Sequence, residues 1–574
     1  MQGELYMAQK PANLIYGLDE KPPLLITFFL ALQHISVISI GFLFPVIIVR
    51  EIGGSMHDAV RFVSASMLAG GVAIIVQSLK KGPAGSGFLC PEVCGPSYLA
   101  ASMLAAKTGG LSLVFGMTLV ASFFEGILSK FMRHLRVLFP AEVTGMIVMM
   151  VGLTVIKVAC KNFFGLSGAG SSISLPAFFT GLLTLMTMIG LNIWGKGKAK
   201  LFCALIGMLI GYIVAAFFGL FDLAKLSSDF AVPFFALPVA GHPGWSFDIA
   251  LLAPFLVAVL CSTLKTVGDL TTCQRINDSK WKRPDMQNVS KGILADGIGA
   301  LVAGVAGGFG QSTSSSNIGL AIGTGATSRV IAKWIGVILI IGSFFPKSSV
   351  IFAIMPAPVL GATLLFALSF MVVAGMQIIL SRMMDGRKTF VVGLSIIFGL
   401  SIDIVPGIYT QAPSWLAPIV SSSLAAATIM ALILNLLFRI GIAQSATLKL
   451  APGVGFTEEI FNFMERQGGL WGARHEVIHK AASAMSEALE AVITLNGNAT
   501  PVEIMARFDE FNLDVVLTYS GVPLTRAQAM PSIDDMLEAK SCAEMSMYMI
   551  QKYADRCVIE RQEEKNILRL HFAH

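Results

Sequence analysis

The sequence runs to 574 residues, 55% of them apolar and only 13% charged, with 28 Met, 39 Phe and a formal net charge of +6. A soluble protein carries about 25% charged residues, so an ordinary soluble enzyme is excluded. The basic excess sits in short loops between apolar runs, so no nucleic-acid partner is expected.

Residues 1–21, ending in YGLDEK, lack a basic stretch followed by an apolar core and a small-residue cleavage site, so they read as a short N-terminal segment and not a signal peptide. From about residue 22 to 445 the chain is a succession of apolar runs long enough to cross about 30 Å of hydrocarbon. Fourteen segments are expected, beginning near residues 24, 58, 88, 109, 139, 173, 201, 248, 290, 314, 328, 356, 388 and 415. Loops after even-numbered segments are rich in base: Lys80 and Lys81; Lys130, Arg133 and Arg136; Lys196, Lys198 and Lys200; Arg275, Lys280, Lys282 and Arg283; Arg329; Arg382, Arg387 and Lys388. Loops after odd-numbered segments are poor in it, with Lys225 and Lys347 among the few. The bias places both termini in the cytoplasm. Residues 446–574 return to soluble composition and form a separate cytoplasmic α/β domain.

Two of the segments are too short and broken to be plain spans. Gly87 to Ala100 contains Pro91 and Pro96, and Gly307 to Gly323 is a Ser/Thr/Asn-rich run at membrane depth. Unpaired backbone cannot face lipid, so both must be buried in protein or line a cavity. They are the third and tenth of fourteen, equivalent places in two halves of seven, which points to a site built on an inverted repeat. Cys90 and Cys94 lie beside the first break with no His or Cys cluster at metal spacing, and read as small apolar residues.

Ionisable groups within apolar segments are costly and mark function. Lys265 and Asp269 stand at i and i+4, on one helix face. Asp296 lies in the ADGIG run and His34 in the first segment. Glu92 adjoins the first break; Glu125 and Glu142 are read as structural, at helix edges.

Several stretches resemble the nucleobase–ascorbate transporter (NCS2, xanthine/uracil permease) family. YGLDEKPP followed by LALQHISVISIGFLFPVII, with Gln33–His34, is similar to its first-helix entry. Pro140 to Ile156 and Pro356 to Ile379 look like its gate helices, Thr266 to Asn277 like its eighth-helix Gly-Asp motif, and SNIGLAIGTGATSR (Ser316 to Arg329) like its signature. The likeness covers nearly all of residues 13 to 440. It implies an all-α membrane domain of fourteen spans in two inverted seven-helix repeats, a core (segments 1–4 and 8–11) and a gate (5–7 and 12–14), working as an elevator in a homodimer in the bacterial inner membrane. It also implies uptake of uracil, xanthine, urate or related bases, usually with protons, and no enzymatic step, cofactor or metal.

The chain departs from the family in two places. The eighth helix normally offers Glu where Lys265 stands, and the signature opens with Gln or Glu where Ser316 stands. A Glu accepts hydrogen bonds from ring N–H groups; Lys has three donors, no acceptor and the opposite sign. An anionic or acceptor-rich nucleobase, or another small organic anion, is therefore the expected substrate, a small molecule reached from the lipid bilayer-embedded core. A neutralising Lys265–Asp269 salt bridge is the competing reading. Asn317, whose amide both donates and accepts, is the firmest binding candidate. Ser315, Ser316, Ser97, Tyr98 (by stacking on a ring) and His34 join it. Asp269, Asp296 and His34 are candidate carriers of a coupling proton, or of sodium. The alternatives are an organic or inorganic anion carrier of the same fold, and a ligand receptor signalling through the C-terminal domain.

In that domain RHEVIHKAASAMSEALEAVITL reads as an amphipathic helix, and FNLDVVLTYSG and NILRLHF as strands. Their order resembles the GHKL ATPase domain of histidine kinases and anti-sigma factors, with Glu487 in the place of its Glu. Ala491 replaces its magnesium-binding Asn, and Tyr519, ahead of Gly521, its adenine-reading Asp. A degenerate regulatory or dimerising module is expected, a STAS domain being the competing assignment. His475 and His479 have no phosphoacceptor context.

Overall fold

The computed structural model describes residues 10–135, 140–166, 172–220, 232–279, 281, 284–381, 383–405, 407, 409, 422–438, 444–450, 456–497, 501–509, 512–527, 539–562 and 565–573. The start of the segment expected near 415, and Arg136, Lys225, Lys280, Lys282, Arg283 and Arg382 of the orienting loops, lie outside them. The chain forms two compact units: residues 1–378 with 394–431, and residues 379–393 with 432–574.

In the first unit the main helices are α1 (Leu24–Ile38), α2 (Leu43–Glu51), α3 (Met56–Gln77), α4 (Leu99–Leu135), α5 (Ala141–Phe163), α6 (Leu175–Ile193) and α7 (Cys203–Phe217). They continue with α8 (Leu252–Asn277), α9 (Met286–Ala306), α10 (Ser315–Thr324), α11 (Arg329–Ser343), α12 (Pro346–Ala353), α13 (Ala357–Ile379), α14 (Gly386–Ile404) and α15 (Ser423–Phe438), the last three reaching into the second unit. Local sequence explains several ends. Ser55 and Asp58 form a reciprocal capping box that starts α3. Gly307, at φ +79°, closes α9 in the left-handed conformation that glycine tolerates best. α4 is broken at Gly109 and Gly110, the latter at φ 72° and ψ −167°, so this one run of 37 residues joins the end of the segment expected near 88 to the segment expected near 109.

Among the described residues eight helices are long and apolar enough to cross a membrane, or nine if α11 and α12, bent by 89°, count as one span. The chain is thus a multi-pass membrane protein, but the expectation of fourteen spans is not reached by this measure. α7 and α15 are apolar but shorter. Short and bent helices are what a broken-helix architecture produces, and length alone cannot count them.

The two interrupted segments meet. β1 (Glu92–Cys94) and β2 (Gln311–Thr313) pair antiparallel, with Glu92 opposite Thr313 and Cys94 opposite Gln311. Gly95 N–H donates to the Gly310 carbonyl at 2.8 Å and Ser314 N–H to that of Pro91 at 2.9 Å, extending the ladder at both ends. Backbone that could not be left unpaired in hydrocarbon is satisfied by the other break. A cluster of Phe62, Phe309, Phe115 and Phe44 packs beside the pair, with ring centroids 5.2–6.1 Å apart.

The second unit holds an antiparallel five-stranded sheet of order β3-β4-β5-β7-β6, built from Gln444–Leu450, Val502–Phe508, Asn512–Ser520, Arg556–Gln562 (β6) and Lys565–Ala573 (β7). Helices α16 (Phe456–Trp471), α17 (His475–Asn496) and α18 (Ala539–Tyr553) complete it. The expected helix and both strands are present. α17 buries Val477, Ile478, Ala481, Met485, Ala488 and Val492, a stripe at helical spacing. Ala491 and Tyr519 are both buried in the core, and the Tyr519 hydroxyl accepts from Leu524 N–H at 2.7 Å. Burial holds this phenol above its ordinary pKa. A turn of this unit also grips its own 379–393 segment: Met383 N–H donates to the Ala473 carbonyl at 3.0 Å, and the Lys388 ammonium to that of Gly472.

Candidate functional site

β1 leads through a short 3₁₀ turn, Pro96–Tyr98, into α4, and β2 leads through Ser314 into α10. Helix N-termini present unsatisfied backbone N–H groups and the positive end of the helix dipole. α8 lies beside the strand pair. Lys265, only 4% exposed, donates from Nζ to the Thr313 carbonyl at the end of β2. Asp269, one turn on, accepts from Thr313 Oγ1 at 2.7 Å through Oδ2 and from Ser315 Oγ at 2.6 Å through Oδ1. The ammonium thus stands in the polar Ser/Thr strand and not toward lipid. It is bonded to backbone, and the Lys265–Asp269 salt bridge of the competing reading does not form within bonding distance.

His34 of α1 reaches Asn317 of α10, with Nδ1 2.8 Å from Oδ1. The Asn317 amide nitrogen donates to Ser314 Oγ at 2.9 Å, so its oxygen is the acceptor and the His34 proton sits on Nδ1. That leaves His34 Nε2 an acceptor without a partner among the described residues, like the hydroxyls of Ser97 and Ser312. Ser97 and Ser312 belong to the two broken segments, His34 bonds the helix that the second one feeds, and the ammonium bonds the end of β2, so these groups stand on the elements that meet here.

Behind this face lies a second polar layer. Thr266 Oγ1 donates to Asp296 Oδ2 and stands 3.2 Å from Thr313 Oγ1. Gln77 Nε2 donates to Asp296 Oδ1 at 3.3 Å. Glu92, fully buried, lies within hydrogen-bonding reach of the Asp296 carboxyl, so the two can share a hydrogen. Its Oε2 lies 2.7 Å from where a Cβ on Gly299 would be, one turn from Asp296, so glycine makes room for it. Glu125 accepts from the Tyr98 hydroxyl at 3.2 Å.

The structure corrects three expectations. Tyr98 does not offer its ring to a ligand: it is fully buried between Gly95 and Gly310, and a Cβ on Gly310 would lie 2.7 Å from it. Glu125 is not at a helix edge but deep within α4, fully buried. Ser316 is exposed and stands apart from the bonded network that holds Ser315 and Asn317. The reading of the sequence passed over Thr266, Thr313 and Gln77. Their only signal was a polar residue inside an apolar run, and for Thr that signal is weak because its hydroxyl commonly bonds its own helix.

Comparison with known proteins agrees over the membrane part. The Xan_ur_permease model, described as "Permease family", matches residues 25–408. The chain is 30% identical over 424 residues to the putative purine permease CPE0397 of Clostridium perfringens, covering 74% of this chain and 92% of that one. It is 29% identical to the xanthine permease XanP of Escherichia coli (strain K12), over 74% of this chain and 95% of the relative. To XanQ of the same strain it is 27% identical, over 78% and 98%. Among solved structures, the transmembrane domain of the cyanobacterial bicarbonate transporter BicA aligns at a TM-score of 0.42 and 13% identity, over 73% of this chain and 99% of that chain.

Proposed function

This chain belongs to the Xan_ur_permease family of permeases, and from that premise we propose that it is a secondary transporter for a xanthine-like nucleobase taken in anionic or acceptor-rich form. Relatives named for purine and xanthine supply the substrate class. The observation that carries the anionic form is Lys265, a buried ammonium aimed at the meeting point of two broken segments, with one of its three donors on the Thr313 carbonyl. An unpaired charge in such surroundings costs several kcal/mol unless compensated, and a purine anion compensates it. Asn317 and His34 Nε2 then read the ring edge, with the Ser97 hydroxyl beside them.

In this reading fourteen spans form two inverted repeats, broken segments pair across the pseudo-symmetry, and the core moves as an elevator against a gate that dimerises. The chain sits in the bacterial inner membrane with both termini and the α/β domain in the cytoplasm, and it catalyses no reaction. Uptake of radiolabelled xanthine and urate into proteoliposomes tests the proposal. Lys265→Glu shifts preference from urate to uncharged bases; a variant with unaltered substrate choice and affinity ends the anionic reading.

A further inference from the structure

α10, from Ser315 to Thr324, is ten residues long and fully buries only Asn317, Ile318 and Ala321. Gly319 and Gly323 face open space, with nothing within 4 Å of where a side chain would begin. A helix this short is marginal by itself, and its packing is sparse, so what holds its two ends decides where it lies. The first end is held by the site, through Ser315 on Asp269 and Asn317 on His34. The last carbonyls of a helix have no partners within it, and the chain that meets them here comes from the N-terminal segment.

Tyr16 lies opposite Ala326 in a parallel bridge. Ile15 and Tyr16 N–H both donate to the Gly325 carbonyl, at 2.8 and 3.0 Å. In return Thr327 N–H donates to the Tyr16 carbonyl at 2.8 Å and Arg329 N–H to that of Leu18 at 3.1 Å. The Thr327 and Ser328 hydroxyls donate to the carbonyls of Tyr16 and Glu20, at 3.2 and 2.5 Å. Gly325 sits at φ +64°, and a Cβ there would stand 3.1 Å from the Asn13 carbonyl oxygen, so the two strands touch. The segment is closed on itself: the Lys10 ammonium donates to both Glu20 carboxylate oxygens, at 2.7 and 2.8 Å, and Gly17 N–H to one of them at 2.9 Å. Asp19 pairs with Lys80, in the loop after α3, and with Arg329, at the start of α11, each at 3.1 Å. Leu14 is buried, and Tyr16 packs against the apolar core.

We propose that residues 13–20 are a positioning element of the transport site, clamping the Gly325 end of α10 and so setting where Asn317 stands. This rests on the reading of Asn317 as a ligand-binding residue. Asn317 lies about 12 Å along the axis from Gly325 at the helical rise, so a tilt of about 5° at the clamp displaces it by about 1 Å. Misplacement by about 1 Å can cost an oriented pair about a hundredfold. The ion pairs of Asp19 are largely exposed and add little to stability. Backbone bonds and the Leu14 anchor hold the ribbon, while Asp19 fixes it to the two elements that flank α10 and the first break.

The test uses the full chain with xanthine as the probe. Tyr16→Pro removes one of the two N–H groups on the Gly325 carbonyl and leaves every side chain of the site intact. Hydrogen exchange at the amides of Ile318–Thr324 quickens about tenfold or more, while those of α3 and α8 exchange as in wild type. In proteoliposomes the KM for xanthine rises about tenfold with Vmax within about twofold of wild type, the split of a displaced binding group. Asp19→Ala moves both readouts the same way to a smaller degree, and Asp19→Glu restores them; this pair decides the question if Tyr16→Pro does not fold. Wild-type exchange in α10, or faster exchange with a wild-type KM, overturns the proposal. A lower melting temperature that leaves both readouts unmoved does so too. The ring N–H resonance of His34, assigned by its loss in His34→Gln, reports the Asn317 oxygen without substrate and shifts in Tyr16→Pro. That shift together with faster α10 exchange supports the clamp even if wild type moves no xanthine, a result that would sink the transport reading alone.

Discussion

Lys265 and Asp269 stand one turn apart on the same helix, yet each is bonded to Thr313: the ammonium to its carbonyl, the carboxylate to its hydroxyl. One strand residue therefore holds both charges in place without letting them neutralise each other by contact.

Asp269→Asn removes a negative charge one helical turn from Lys265, on the same face of α8. The affinity for urate rises about ten- to a hundredfold, measured by isothermal titration in detergent. Unchanged affinity would mean that the carboxylate does not sense the ligand.

Tyr98→Phe separates the structural role of this residue from the stacking role read in the sequence. Losing the hydroxyl leaves a Glu125 oxygen unpaired in the interior, at a cost of about 1–3 kcal/mol. The melting temperature falls while the affinity for xanthine stays as in wild type. A loss of affinity without a loss of stability would restore the ring to the site.

Gly310→Ala pushes a methyl group to 2.7 Å from the Tyr98 ring, where backbone approaches backbone across the strand pair. Overpacking of this kind costs about 1–3 kcal/mol. Gly319→Ala, in α10 with nothing within 4 Å of the added carbon, serves as the control. It is neutral or stabilising by up to about 1 kcal/mol, because alanine is the better helix former. Equal melting temperatures for the two variants would refute the close packing.

Gly472 adopts φ +61°, and a side chain there would meet the Lys388 ammonium at 2.1 Å and the Met383 carbonyl at 2.9 Å. Gly472→Val therefore prises the turn off the segment it grips, adding about 1–3 kcal/mol of backbone strain. Lys388→Ala weakens the same contact without strain. Both variants speed hydrogen exchange at Met383, while the amides of β4 and β5 exchange as in wild type. Protection at Met383 unaffected by either change would show that the contact bears no load.

How far the sequence could be read follows from the kind of signal each residue left. The two interruptions were legible because proline, glycine and runs of serine are anomalous in hydrocarbon, and they prove to pair with each other. Lys265 and Asp269 were legible because charge is rare there and i, i+4 spacing fixes a shared face. That their partner would be Thr313 was not, since nothing local connects α8 to β2. Glu125 was misplaced for a related reason. In a bundle whose helices are apolar all round, periodicity does not tell the protein-facing side from the lipid-facing side. The C-terminal unit, with one wet face, gave its helix and strands by ordinary alternation.

The seam between Glu92 and Thr313 also sets a timetable for biosynthesis. β1 leaves the ribosome roughly two hundred residues ahead of β2, and until then its amides have no mate inside the bilayer. The first half must wait with its polar backbone sheltered by the translocation machinery, by water or by a provisional neighbour. Any mutation that slows delivery of the second half lengthens that exposure, so a nascent chain stalled before Gln311 is the species that quality-control proteases will find.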